Sequence, residues 1–142
     1  MGKRVKGSRR HPKVEFNAIL KALVDVDNPF PPQYLHHLTD LTPEHAEQLT
    51  AIWPEIPTSR RLALLEDLEE LQDTDTRLWF EHIAYLALKD QEPDARARAI
   101  SMLWESGDET LIPIYTELSL KDPSAEVRAA AAVAPGELLG RL

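Results

Sequence analysis

Apolar positions along this 142-residue chain recur with a period near 3.6 for most of its length, the spacing of one buried face of a helix. Phe16, Ile19, Leu20, Leu23 and Val24 form one such stripe, which stops at the turn-rich Asp27-Asn28-Pro29-Phe30-Pro31-Pro32. A short helical turn through Tyr34, Leu35 and Leu38 comes next. Thr42 reads as an N-cap, because its hydroxyl can accept from a first-turn amide, Pro43 has no amide to satisfy, and Glu44 faces the positive helix end. That helix should run to about Trp53. From residue 57 the pattern is regular and predicts helices at about 58–72, 76–89, 93–105, 109–120 and 123–134, joined by short turns that force neighbours to pack antiparallel. Strand-like alternation is confined to fragments such as Val24-Asp25-Val26-Asp27, so the expected class is all-α.

The helices repeat. Asp90, Ala95, Arg96 and Ala99 recur 32 residues on as Asp122, Val127, Arg128 and Ala131, and Pro57, Arg60 and Ala63 precede Pro93, Arg96 and Ala99 by 36. A period of this size in helix pairs is the signature of a solenoid, in which each pair buries its apolar face against the next. The segments Glu92-Pro93-Asp94-Ala95-Arg96-Ala97-Arg98-Ala99 and Asp122-Pro123-Ser124-Ala125-Glu126-Val127-Arg128-Ala129-Ala130-Ala131 resemble the first helices of HEAT repeats. The resemblance implies a short right-handed α-solenoid of antiparallel helix pairs with a helical N-terminal cap, similar to short bacterial proteins that join such a leader to few repeats. It also implies a structural ladder of turn aspartates and helix arginines, here Asp90 with Arg96 and Asp122 with Arg128. The first unit departs from this pattern, having Pro54 where the aspartate should fall. The expected organisation is a basic, disordered arm over 1–13, a cap over 14–56, and about two and a half HEAT-like repeats over 57–142, continuous with the cap. Only Glu137 to Leu142 follow Pro135-Gly136, so the third pair reads as half built. Its small or apolar run Ala129 to Ala134, with Leu138, Leu139 and Leu142, suits a partner, a second copy or the further units of a longer array of which this chain is a fragment.

Composition narrows the function. With 43% hydrophobic and 28% charged residues the chain reads as a soluble globular protein, and its apolar runs fall short of a membrane span. It contains no cysteine, which removes disulfides, thiolate metal sites and cysteine nucleophiles and suits a reducing, cytoplasmic setting. The net charge of −8 divides unevenly: the six cations Lys3, Arg4, Lys6, Arg9, Arg10 and Lys13 stand before residue 15 with no acid, leaving ten basic against 24 acidic side chains in the rest. Attraction to nucleic acid is therefore expected of the arm alone.

The chemistry-bearing residues do not assemble into a reactive set. The stretch 8–106 has no glycine and so no phosphate-cradling loop, and no serine sits in a nucleophile elbow. Histidines 11, 36, 37, 45 and 82 lack metal-ligand spacing. The acidic run Glu66, Asp67, Glu69, Glu70, Asp73 and Asp75 reads as a solvated helix face, with docking of a basic partner or of the chain's own arm as its functional alternative. Trp79 and Trp104 follow core spacing as inter-helix wedges. In HEAT-like proteins the second helices of the pairs line the binding face. Here these would present Arg77, Glu81, Tyr85 and Lys89 in one row and Thr110, Glu117 and Lys121 in the next. The expected function is a non-catalytic protein-interaction scaffold without a cofactor or metal, partnered by another protein or by itself. The alternatives are a nucleic-acid-associated factor using residues 1–13 and, more remotely, a HEAT-like enzyme.

Overall fold

The computed structural model describes residues 14–141, with side chains described through residue 135, and among these residues there is no strand. Helix α1 is Phe16–Val24, followed by a 3-10 helix over Pro32–Leu38 and then α2, Pro43–Ile52, which a second 3-10 turn extends over Trp53–Glu55. Thr42 caps α2 by accepting the His45 amide at 3.1 Å. The remaining helices are α3 (Thr58–Thr74), α4 (Glu81–Leu88), α5 (Pro93–Met102), α6 (Leu111–Lys121) and α7 (Ala125–Arg141).

Helix α3 packs on α5 and α5 on α7, forming one layer, while α4 packs on α5 and α6 on α7. The buried cluster is continuous from Phe16 in the cap to Ala134 in α7, through Leu49, Leu65, Leu68, Phe80, Ile83, Ile100, Leu111 and Val127. Within the cap, the His45 ring of α2 stacks on Phe16 of α1 with centroids 4.1 Å apart. Hydrogen bonds then join the cap to the helices that follow. His82 Nε2 lies 3.0 Å from Thr50 Oγ1 and 3.1 Å from the Ala46 carbonyl oxygen, pinning α4 to α2. Arg60, on α3, donates to the carbonyls of Ala22, Asp25 and Asn28 at 2.7–3.0 Å and so closes the end of α1 and its following turn.

Three sequence expectations are corrected. The helix expected over 76–89 begins only at Glu81. Asp75 Oδ1 accepts the Arg77 amide and Gln72 Oε1 accepts the Phe80 amide, so side chains take the amides that a first helical turn would otherwise leave open, and Phe80 is drawn fully into the core. The helix expected to stop at 134 continues through Pro135 to Arg141. A proline keeps helical φ and forfeits one ladder hydrogen bond, here the one to the Ala131 carbonyl, and the buried Ala131 and Ala134 hold the turn in place. The residue equivalent to Arg96 in the first unit is Arg61, which occupies the ladder, whereas Arg60 serves the cap. The basic arm 1–13 and the side chains of Leu138, Leu139 and Leu142 lie outside the described residues.

Replacing Arg60 by Met, which keeps the stem and removes three charge-assisted donors, should cost about 2 kcal/mol. Hydrogen exchange should accelerate in α1 and the 25–28 turn and stay unchanged in α6 and α7.

Candidate functional site

The turns between units carry the most organised polar chemistry. Asp90, in the turn before α5, buries its side chain to 2% exposure and accepts from three elements. Trp53 Nε1 donates to Oδ2 at 2.8 Å, Arg61 donates from Nε at 2.8 Å and from Nη2 to Oδ1 at 3.2 Å, and the Glu92 amide donates to Oδ1 at 2.9 Å. Thirty-two residues on, Asp122 repeats the arrangement: Arg96 donates from Nε at 2.7 Å and from Nη2 at 2.9 Å, and the Ser124 amide donates at 2.9 Å. The Arg96 hydrogen bond holds the Asp122 carboxyl below its ordinary 3.8 against the opposing effect of burial. The expected pairs Asp90–Arg96 and Asp122–Arg128 are thus corrected. Each arginine binds the carboxylate of the following turn, and reaches the aspartate six positions before it only through that residue's backbone carbonyl, at 2.8 Å for Arg96 and 2.7 Å for Arg128. A side chain leaving a helix head lies beside the next unit's turn, a neighbour that sequence distance does not reveal.

Residues 80–140 match the family model for HEAT repeats. These residues are HEAT repeats. Neither the curated proteins nor the solved structures yield a match to the chain. HEAT repeats as a class mediate protein–protein contacts, and among the described residues no helix is long and apolar enough to cross a membrane.

On the HEAT repeats, the predicted binding row does not form as one stripe. Arg77 lies in the loop before α4, with Nε and Nη2 on the Asp75 carboxylate at 3.0 and 2.9 Å, and these bonds lower that carboxyl to about 2. Glu81 and Lys89 are exposed at the two ends of α4. Tyr85 between them is half-buried and donates its hydroxyl to Asp108; burial and then that bond push the phenol above its usual range. Thr110 donates from backbone and side chain to the same aspartate, at 2.9 and 2.7 Å. Lys121 approaches Glu117 only to 3.8 Å on an exposed face. Beneath this row the buried Tyr115 phenol is pushed up to about 12 by desolvation, then by Asp108.

Two adjoining concavities lie along the first helices. One groove of about 550 Å³ runs across α3, α5 and α7 and is lined by Glu66, Glu69, Asp94 and Glu126 with Leu62, Ala97 and Arg98. A second, about 530 Å³, adjoins it through Glu69 and Ser101 and is walled by Leu78, Trp79, Met102 and Trp104, with Asp73 and Glu105 beside them. Arg98 Nη1 donates to Glu69 Oε1 at 2.6 Å, and the Ser101 hydroxyl donates to Glu69 Oε2. The tryptophans pack on the core as their spacing predicts, and each also offers surface to the second groove. Sequence reading found the acidic run but did not join it to the tryptophans, because their register depends on the late start of α4 and on how α5 seats against α3. Among the described residues no group of three metal-ligating side chains converges.

Because the Asp122 carboxyl sits below its ordinary value in the folded state, its stabilisation is complete above that value and is lost as pH falls through the lower, folded one. Asp122→Asn should cost about 3 kcal/mol at pH 7 by leaving Arg96 buried without its counter-charge. The melting-temperature gap between the two proteins should narrow below about pH 4.

Proposed function

We propose that this chain is a non-catalytic protein-interaction module that takes a basic segment of another protein along the face made by α3 and α5. The observation that carries this reading is the pair of adjoining grooves, in which six carboxylates and one arginine surround a wall containing Trp79 and Trp104. Half-buried tryptophans supply large contact area with little side-chain entropy to lose, and they concentrate binding energy at protein interfaces. Their ring faces also attract cations, as the carboxylates do, so a lysine or arginine flanked by apolar residues satisfies both walls. The same acidic field steers a basic partner toward the face and repels a phosphate backbone. The row Glu81, Tyr85 and Lys89, with Thr110, Glu117 and Lys121, stands as a second contact surface. Its central tyrosine and threonine are engaged at Asp108 and contribute through their remaining surface.

A peptide alternating arginine with leucine should perturb tryptophan fluorescence on binding. Trp104→Ala should weaken its binding about tenfold, and Glu66→Lys combined with Asp94→Lys should do so by a similar factor. Affinity unchanged in both variants, or equal binding of duplex DNA to protein lacking residues 1–13, would refute this assignment.

A further inference from the structure

The arginine ladder has three rungs and only two of them hold a carboxylate among the described residues. Arg61 binds Asp90 through Nε and Nη2, and Arg96 binds Asp122 through the same edge. Arg128 occupies the equivalent position on α7 and is seated in the same way. Its Nη1 donates to the Asp122 carbonyl at 2.7 Å and the Pro123 carbonyl at 3.1 Å, while Arg96 Nη1 donates to the Asp90 and Gln91 carbonyls at 2.8 and 2.9 Å. Two backbone acceptors thus orient the guanidinium plane identically in both. What differs is the Nε–Nη2 edge: in Arg128 it meets no carboxylate among the described residues. A planar guanidinium held on one side by carbonyls is a preorganised two-point donor for a carboxylate on the other.

The apolar surroundings of the three rungs make the same point. The residue four positions after the ladder arginine is Leu65 on α3, fully buried, and Ile100 on α5, 1% exposed, and each of these helices packs on the next first helix. After Arg128 that position is Ala132, which is exposed, as are Ala129 and Val133. On α6 beside it Leu120 is 72% exposed. The third unit is therefore prepared as the first two are, with an oriented arginine beside an apolar patch of small side chains that lets another helix approach closely.

We infer that Arg128 is the receptor for an aspartate carboxylate of a partner protein, presented at the head of a helix that lies over Ala129 and Ala132. The two filled rungs define the ligand. In each, the carboxylate gives one oxygen to Nε, and its other oxygen accepts both Nη2 and the backbone amide two residues further along, at 2.9 Å. The occupant is thus an aspartate that opens a turn into a helix, and the chemistry is that of a carboxylate fork with apolar contact beyond it. This site lies on the α6–α7 end of the molecule and involves none of the residues of the tryptophan-walled groove, so the two assignments stand or fall separately.

The full chain, labelled with nitrogen-15, reports on each ladder arginine through its Nε–Hε resonance. Two probes suffice: sodium acetate, and a synthetic peptide with the sequence of residues 118–135, whose Asp122 performs this task for Arg96. Both should move the Arg128 signal saturably and leave those of Arg61 and Arg96 in place, and the peptide should bind at least tenfold tighter than acetate. The same peptide with Asp122→Asn should lose that advantage, and Arg128→Lys, with an unchanged circular dichroism spectrum, should bind the original peptide at least fivefold more weakly. An Arg128 signal indifferent to both probes overturns the inference, as does an equal response to the aspartate and asparagine peptides. Movement of that signal on raising protein concentration alone, with a doubled mass, also overturns it in favour of a second copy as the occupant.

Discussion

A carboxylate taken out of water is costly unless its charge and its lone pairs are both satisfied, and this fold places one at each described turn between units, at Asp90 and Asp122. The condition is met by pairing each with the arginine of the preceding unit and with a backbone amide of its own turn. Those bonds are directional, so they set more than energy. They constrain how far one unit can be shifted or rotated against the next. At Asp90 the same carboxylate also receives Trp53, which extends the constraint to the cap. The cap therefore enters the stack through a tryptophan in a place where the first unit has no turn aspartate.

The consequence is a division of labour between neighbouring arginines on α3. Arg61 faces forward to the next unit, and Arg60, one residue earlier and about 100° around the helix, faces back to the carbonyls that close α1. Two adjacent cations on one helix thus hold opposite ends of the molecule's first half. Packing then follows: Leu64, Leu65 and Leu68 on the same helix are buried while Glu66, Asp67 and Glu70 remain in water. Glu69 lies between these sets, and its bonds to Arg98 and Ser101 form the floor shared by the two grooves.

Much of this architecture is legible from residue spacing. The all-α class, the cap helices, the Thr42 cap and the acidic face of α3 come from local patterns, because a 3.6-residue period and a capping hydroxyl act within one or two turns of chain. The repeat aspartates show instead in the 32-residue self-similarity, and their ladder role is what the resemblance to HEAT repeats implies. The exact partner of each aspartate was not, since Arg61 and Arg96 reach across 29 and 26 residues to a turn whose place depends on packing. The late start of α4 likewise hinges on Gln72 and Asp75 taking amides that local propensity assigns to a helix. That shift moves Arg77 out of the expected row and Trp79 into the loop that walls the groove.

By itself, then, the order of residues determined which segments are helices, that they come in pairs of about 32 residues, and that an acidic body follows a basic start. Only tertiary structure decided which arginine meets which aspartate, which second-helix residues remain available, and where concave surface forms. The physical reason is range. Helix periodicity and capping are decided by neighbours a few positions apart, whereas a buried ion pair and a groove between helices exist only once segments some 30 residues apart have been brought into contact, as at the 2.8 and 2.7 Å bonds of Arg61 and Arg96.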